Sequence, residues 1–381
     1  MRDEYTIGVE EEYQLVDGAT GALRSRASDV LSTDWADEIR GELHETTVEI
    51  GTSVCDGLDA VERELSRARF HAAVTAAAEG LEIVAAGTHP FSGWEGQKVQ
   101  PGDRYVEMIE RHDRIARAVN IFGMHVHVGI PERFERAPLL ERVRGFVPHL
   151  LALSCSSPFL DAEDTGFASY RAILWRQYPY TGIPPRFDSD EEFQAFIDLL
   201  LRSQTIRDRG NLYWSVRPHF SYPTIEFRAM DACPRLEDAA TIAGLARLLV
   251  VGVAENGVEA PAGGALSPDS WLAILTENEW HAARYGLDAF LVDPDAADGR
   301  TAIRTTIRRL LDVLAPTAAA LGETEVLERV EGLLERGNGA DRLRQVRDES
   351  ESFEEVVRWL IGETRLGTGF DRRRFQRVGA L

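Results

Sequence analysis

The stretch Thr6–Val16, TIGVEEEYQLV, decides how the rest of the chain is read. Extended backbone sends alternate side chains to opposite faces, so Ile7, Val9, Tyr13 and Leu15 fall in one row and Glu10, Glu12 and Gln14 in the other. One face can lie on a core while the other presents two carboxylates side by side. Two such groups about 4 Å apart repel by roughly 4 kcal/mol at an effective dielectric of about 20, so the pair invites a cation or a raised pKa. Glu11 interrupts the apolar row. Taken alone, the stretch reads equally well as the solvated face of an edge strand, because such alternation is common in antiparallel sheets.

Three further stretches change that balance. Leu43–Ile50 (LHETTVEI) sets Glu45, Thr47 and Glu49 against Thr46, Val48 and Ile50; Met124–Ile130 (MHVHVGI) sets His125 and His127 against Met124, Val126, Val128 and Ile130; Thr224–Met230 (TIEFRAM) sets Glu226 and Arg228 against Ile225, Phe227 and Ala229. A solvated sheet face would mix Lys, Ser, Thr and Asn. Here the polar rows are metal ligands and a guanidinium, the groups that hard divalent cations and phosphates use.

Between these strands the sequence predicts helices. Asp56 stands as an N-cap ahead of Leu58, Val61, Leu65 and Ala68–Ala78. Leu81–Ala86 is a short buried strand that ends in a loop carrying His89, a turn residue or a substrate contact. Asp103–Val119 reads as one amphipathic helix and Leu139–Leu153 as a buried one, closed by Pro158. Phe159–Pro185 is a long connection that holds Arg171 and Arg176, of the kind that is usually functional. Glu191–Arg202 is helical, and Leu212–Phe220 pairs with Thr224–Met230 as a hairpin. Beyond Leu236 the chain is helical, near Asp238–Val258, Pro268–Tyr285, Thr301–Leu314, Glu323–Arg336 and Ser352–Ile361, with loops at Ala260–Gly264 and Asp293–Gly299. No repeat or linker divides it. The expectation is a single α+β domain over residues 1–381: an antiparallel sheet, helices on its apolar face, a polar active-site face, and a helical part after about residue 235.

A formal charge of −21 argues against nucleic acid, which needs a basic surface. Cys55, Cys155 and Cys233 are odd in number and lack C-x-x-C spacing, which points to a reducing, cytoplasmic setting without disulfides or structural zinc. No apolar run is long enough to span a membrane. There is no G-x-x-x-x-G-K-[ST], no H-E-x-x-H and no G-x-S-x-G. The Glu/His cluster with arginines leaves two enzyme classes, ATP-dependent activation of a carboxylate and metal-assisted hydrolysis. A non-catalytic amino-acid or nucleotide sensor on the same scaffold is the third reading. Two histidines against four or five carboxylates favour Mg2+ over Zn2+.

GVEEEYQLVD, GTHPF, FGMHVHVGI, TGFASYR, TIEFRAMD and ENEWHAARYGLDA, in that order, resemble the carboxylate–amine ligase family, glutamate–cysteine ligase type 2. The strands are more distantly similar to the catalytic sheet of glutamine synthetase. The resemblance implies that ATP, with Mg2+ or Mn2+, phosphorylates the carboxylate of glutamate or a similar amino acid, and that an amine, cysteine or another, attacks the acyl phosphate. It implies that Glu10, Glu12, Glu49 and Glu226 hold metal, with Glu45 less so, and that Glu49 also serves the amine site. It places His125 at the nucleotide phosphates and Arg228 on the γ-phosphate, while His127 is either a further ligand there or a hydrogen-bonded sheet residue. Arg171 would grip an α-carboxylate, with a surface ion pair as its alternative; Arg217 could do either. Asn278 and Arg284 line the site or brace helices, while His44 and His112 are structural. A homodimer is implied as well.

Overall fold

Strand β1 (Ile7–Asp17) forms where the alternation places it and runs through the middle of an antiparallel sheet. The computed structural model describes residues 4–33, 38–260 and 266–371. The other strands of this sheet are β2 (Ile39–Gly41), β3 (Thr47–Gly51), β4 (Leu81–Val84), β5 (Met124–Gly129), β6 (Val216–Pro218) and β7 (Thr224–Phe227). Their order is β2-β3-β1-β5-β7-β6, and β4 pairs with the end of β1 beyond β3.

The apolar row of β1 is buried as a unit, with Ile7, Val9, Tyr13 and Leu15 no more than 2% exposed. It lies against two helices, Leu58–Ala78 and Leu236–Glu255. The second is buried almost all round because further helices cover its far side, so its sequence is apolar on every face. Glu11, which breaks the apolar row, meets Arg69 of the first helix there. Both are fully buried, and Arg69 Nε donates to Glu11 Oε2 at 2.9 Å while Nη2 donates to Oε1 at 2.5 Å. The same guanidinium also donates to the carbonyls of Cys233 and Pro234 at 2.9 Å, and Tyr13 donates its hydroxyl to Glu11. The charge in the core is therefore paired and hydrogen-bonded, the condition under which burial is tolerated.

Several boundaries depart from the sequence reading. Gly57, not Asp56, is the N-cap of the Leu58–Ala78 helix, and the Leu58 amide is capped by Glu323 Oε1 at 2.9 Å from the far end of the chain. The expected helix Asp103–Val119 is two, Asp103–His112 and Arg114–Ala118, broken at Asp113, whose φ of 44° cannot belong to a right-handed helix. The second acidic strand is shorter than expected, because His44–Thr47 turns on itself through a Thr47 amide to His44 carbonyl bond. The long connection contains a short helix, Tyr170–Trp175, and Gly339–Ser350 is a helix that the sequence reading passed over. The helices Asp190–Arg202, Pro268–Tyr285 and Phe353–Arg365 fall close to expectation. Residues 261–264 of the expected loop after Ala260 lie outside the described residues.

Candidate active site

Register brings the four polar rows together on one face. Across β1 and β5, Glu10 stands opposite His125; across β1 and β3, Glu12 stands opposite Glu49. Across β5 and β7, His127 stands opposite Glu226, which in turn faces Arg217 on β6. This face floors a cleft of about 300 Å³, into which Glu10, Glu12, Glu49, His125, Glu226 and Arg228 all open.

Glu10, His127 and Glu226 each offer a ligand atom, and these atoms lie within 4.8 Å of one another. His127 Nδ1 is hydrogen-bonded to Thr224 Oγ1 at 3.2 Å, which fixes the ring. Its Nε2 is buried without a hydrogen-bond partner and sits 3.6 Å from Glu10 Oε2. Burial works against ionisation of Glu10, but the adjacent His125 and His127 outweigh it and hold the carboxyl below the usual range. Glu226 is likewise held low against its burial, by Arg228 and then Arg217. Arg217 Nε donates to Glu226 Oε2 at 2.7 Å, and Arg228 Nη1 donates to Oε1. His125, buried and close to Arg228, is pushed down to about 4, so it is neutral at pH 7 and bonds Glu10 through Nδ1 at 3.2 Å.

A second acidic group lies toward β3. Glu12, Glu49 and Glu42 crowd together, and burial followed by mutual repulsion raises Glu12 to about 7 and Glu49 well above the carboxylate range. Glu42 is raised too, by burial. The Gly123 amide donates to Glu12 Oε2 and is a fixed point in this crowding.

Arg171 is buried rather than part of a surface ion pair. Val126 stands opposite Phe227, yet Gly123 bridges to Asp231, so the 227–231 side carries one residue more than the 123–126 side and forms a bulge. Arg171 donates to two carbonyls of this bulge, Ala229 at 3.1 Å and Arg228 at 3.3 Å, and a Cβ at position 123 would collide with its guanidinium. Its Nε has no partner, and the side chain faces the cleft.

Other expected residues lie elsewhere. Glu45 accepts from the Ser28 amide at 2.8 Å and from the Ser28 hydroxyl, away from the cleft, because the turn at residues 44–47 swings it out of the row. His89 is structural: Nε2 donates to Gly21 carbonyl at 2.9 Å, and Nδ1 accepts from the amides of Phe91 and Ser92 at 3.2 and 2.8 Å. Asn278 braces Val292 through both its backbone groups, and Arg284 stacks over Phe167 and Tyr285. His112 packs edge-on against Tyr178. His44, read as structural, does bond the Arg117 carbonyl, at 3.0 Å, but it also lines the cleft.

The remaining walls come from residues the sequence reading did not single out. Arg104 and Met108 face inward from the Asp103–His112 helix, Trp175, Tyr178 and Tyr213 form an aromatic side, and His219 stands at the β6–β7 turn. The available signal was the amphipathic pattern that turns Arg104 and Met108 to one face of their helix.

A family model for glutamate-cysteine ligase family 2 matches residues 6–359. The chain belongs to this family. A protein from Sorangium cellulosum named "Putative glutamate--cysteine ligase 2" is 37% identical over 379 residues, 96% of this chain and 97% of its own length. One of the same name from Herpetosiphon aurantiacus is 35% identical over 373 residues, 97% and 95% of the two chains. Among solved structures, glutamate–cysteine ligase from Francisella tularensis in complex with AMP superposes with a TM-score of 0.71 at 12% identity, covering 99% of this chain and 93% of that one. A bifunctional glutathione synthetase from Pasteurella multocida gives 0.69 at 18%, covering 96% and 53%. At these identities the two structures establish the fold alone, an antiparallel sheet with a helical C-terminal part. Among the described residues of this family member, no helix is long and apolar enough to cross a membrane.

Proposed function

We propose that the protein is an ATP-dependent carboxylate–amine ligase of the glutamate–cysteine ligase kind. It transfers the γ-phosphoryl group of ATP to the side-chain carboxylate of glutamate or a similar amino acid, releasing ADP. An amine then attacks the acyl carbon, so that an amide forms, inorganic phosphate leaves and the amine gives up a proton. The observation that carries this reading is the convergence of Glu10, His127 and Glu226 beside the Arg228 guanidinium on the sheet face that floors the cleft.

The residues fit a divalent cation: a buried imidazole nitrogen without a hydrogen-bond partner is aimed where two carboxylates meet. Oxygen donors dominate, which suits Mg2+, with Mn2+ as its substitute. Held by Glu10, His127 and Glu226, and by Glu12 and Glu49 with Glu42 in the second group, such ions would neutralise charge on the phosphates. Neutral His125 orients Glu10. Arg217 pins Glu226 from β6, and Arg228, tied to the same carboxylate, presents its remaining N–H groups to a transferring phosphoryl group. Arg171 has donors left over from the bulge carbonyls and suits the α-carboxylate of the amino acid. The three buried free cysteines support a reducing, cytoplasmic setting, and a homodimer belongs to the same reading.

The test is ADP release by the purified protein over a matrix of amino-acid pairs, with hydroxylamine to trap an acyl phosphate. ADP release and trapping that both require an amino-acid carboxylate support the ligase. Hydrolysis of amide or ester substrates without ATP would replace it with metal-assisted hydrolysis.

A further inference from the structure

The turn that joins β6 to β7 carries three aromatic rings; Phe220 packs against Phe193, and the other two have no part in the ligase chemistry above. His219 lines the cleft, and its ring stacks on Tyr222 with centroids 4.8 Å apart and planes 12° from parallel. Both rings also meet His127, the imidazole of the Glu10–His127–Glu226 group, edge-on at 5.1 and 6.3 Å. Tyr222 is nevertheless 58% exposed. A large ring stacked on a residue of the cleft wall, with much of its own surface open, offers a flat apolar face to a ligand.

The turn is also braced. His219 Nδ1 accepts from the amides of Ser221 and Tyr222 at 3.2 and 3.0 Å, so in the neutral ring the proton is on Nε2. Arg136 Nη1 donates to the carbonyls of His219 and Tyr222 at 2.7 and 3.0 Å, and the Thr224 amide donates to the Tyr222 carbonyl at 2.8 Å. The orientation of the pair is therefore fixed before any ligand arrives. A preorganised flat surface loses little freedom on binding.

We propose that the Tyr222–His219 pair is the platform on which the base of the nucleotide stacks, with the exposed face of Tyr222 as the contact surface. The inference rests on the ATP-dependent reading of the cleft. A nucleotide whose phosphates lie at Glu10, His127 and Glu226 must carry its base away from them by the length of a ribose and the α-phosphate. The aromatic pair packs edge-on against His127, and His219 opens into the cleft beside it. Stacking accepts any base, because every base has a π-face, so the platform accounts for affinity and leaves the choice of base to other groups.

The experiment is calorimetric binding of ATP and of inorganic tripolyphosphate, each with Mg2+, to the parent, Tyr222→Ala and Tyr222→Phe. Tyr222→Ala should weaken ATP roughly five- to a hundredfold, the range expected for one base on one aromatic ring, and leave tripolyphosphate unchanged. Tyr222→Phe, which keeps the ring, should bind both ligands like the parent. Parent-like ATP binding by Tyr222→Ala, or an equal loss for both ligands, overturns the platform and leaves the ligase reading standing. A parent that binds ATP no more tightly than tripolyphosphate has the same meaning. A parent that binds neither ligand overturns both readings.

Discussion

Replacing Arg228 by lysine isolates the phosphate-facing donors of the proposed active site. In the parent, Nη1 is tied to Glu226, Nε is buried without a partner, and the guanidinium faces the cleft. A lysine can keep the ion pair with Glu226 but cannot hold that pair and at the same time present the planar second set of donors. The loss is one preorganised donor aimed at charge that grows in the transition state, a class of contact that contributes about 3 to 4 kcal/mol, or on the order of a hundredfold to a thousandfold in rate. Because the contact strengthens only as the phosphoryl group transfers, ATP affinity should change little. The assay is single-turnover formation of acyl phosphate, trapped as the hydroxamate, beside ATP affinity in the same preparation. Trapping at the parent rate in Arg228→Lys would refute the reasoning and make Arg228 only the partner that holds Glu226 in place. A fall in ATP affinity as large as the fall in trapping would place the contact in the ground state instead.

Three further outcomes follow from the geometry. Arg69→Met strands the Glu11 carboxylate in the core and should lower the unfolding free energy by about 3 to 5 kcal/mol in urea titrations, whereas the double change Glu11→Leu/Arg69→Met should recover most of that loss; a double variant as unstable as the single one defeats this account. Glu12→Gln removes a charge from a crowded carboxylate group while its amide oxygen can still accept from the Gly123 amide, so it should raise the melting temperature in EDTA and abolish ATP turnover. Unchanged turnover at saturating Mg2+ would take Glu12 out of the site. His89, pushed down by burial from 6.5 to about 4, binds its proton more readily in the unfolded chain; the stability this represents, about 3 kcal/mol, is intact above pH 6.5 and lost as pH falls toward 4. His89→Gln should flatten the pH dependence of unfolding in that window, and an unaltered slope would show that other groups set it.

The parts of the site that lay on period-two rows were legible in the sequence. Glu10, Glu12, Glu49, His125, His127, Glu226 and Arg228 share a face because register between antiparallel neighbours preserves the alternation each strand shows alone. Glu45 shows where that logic stops: it keeps the right parity, but the chain leaves the sheet at residues 44–47, and parity means nothing in a turn. Glu42, Arg104, Tyr178, Tyr213 and His219 were out of reach for another reason, since they arrive from turns and a helix whose position over the sheet is set by tertiary packing. The break at Asp113 is masked in the sequence because apolar residues continue at helical spacing on both sides of it. Glu11 was visible as an anomaly, and its explanation sits fifty-eight residues further on, at Arg69.

The place of β1 in the sheet bears on how the chain is made. It is made before the other strands of its sheet, its partners β3, β4 and β5 follow at increasing distances along the chain, and the helix Leu236–Glu255 that helps to cover its apolar face follows later still. Pairings of such sequence separation form slowly, because loop closure must precede the contacts that reward it. A nascent chain thus carries an incompletely covered apolar strand until that helix has been made, a state open to association with other chains. Truncation before β7 would leave Glu10 and His127 without Glu226, so the proposed cation-binding group is completed only when β7 has joined the sheet.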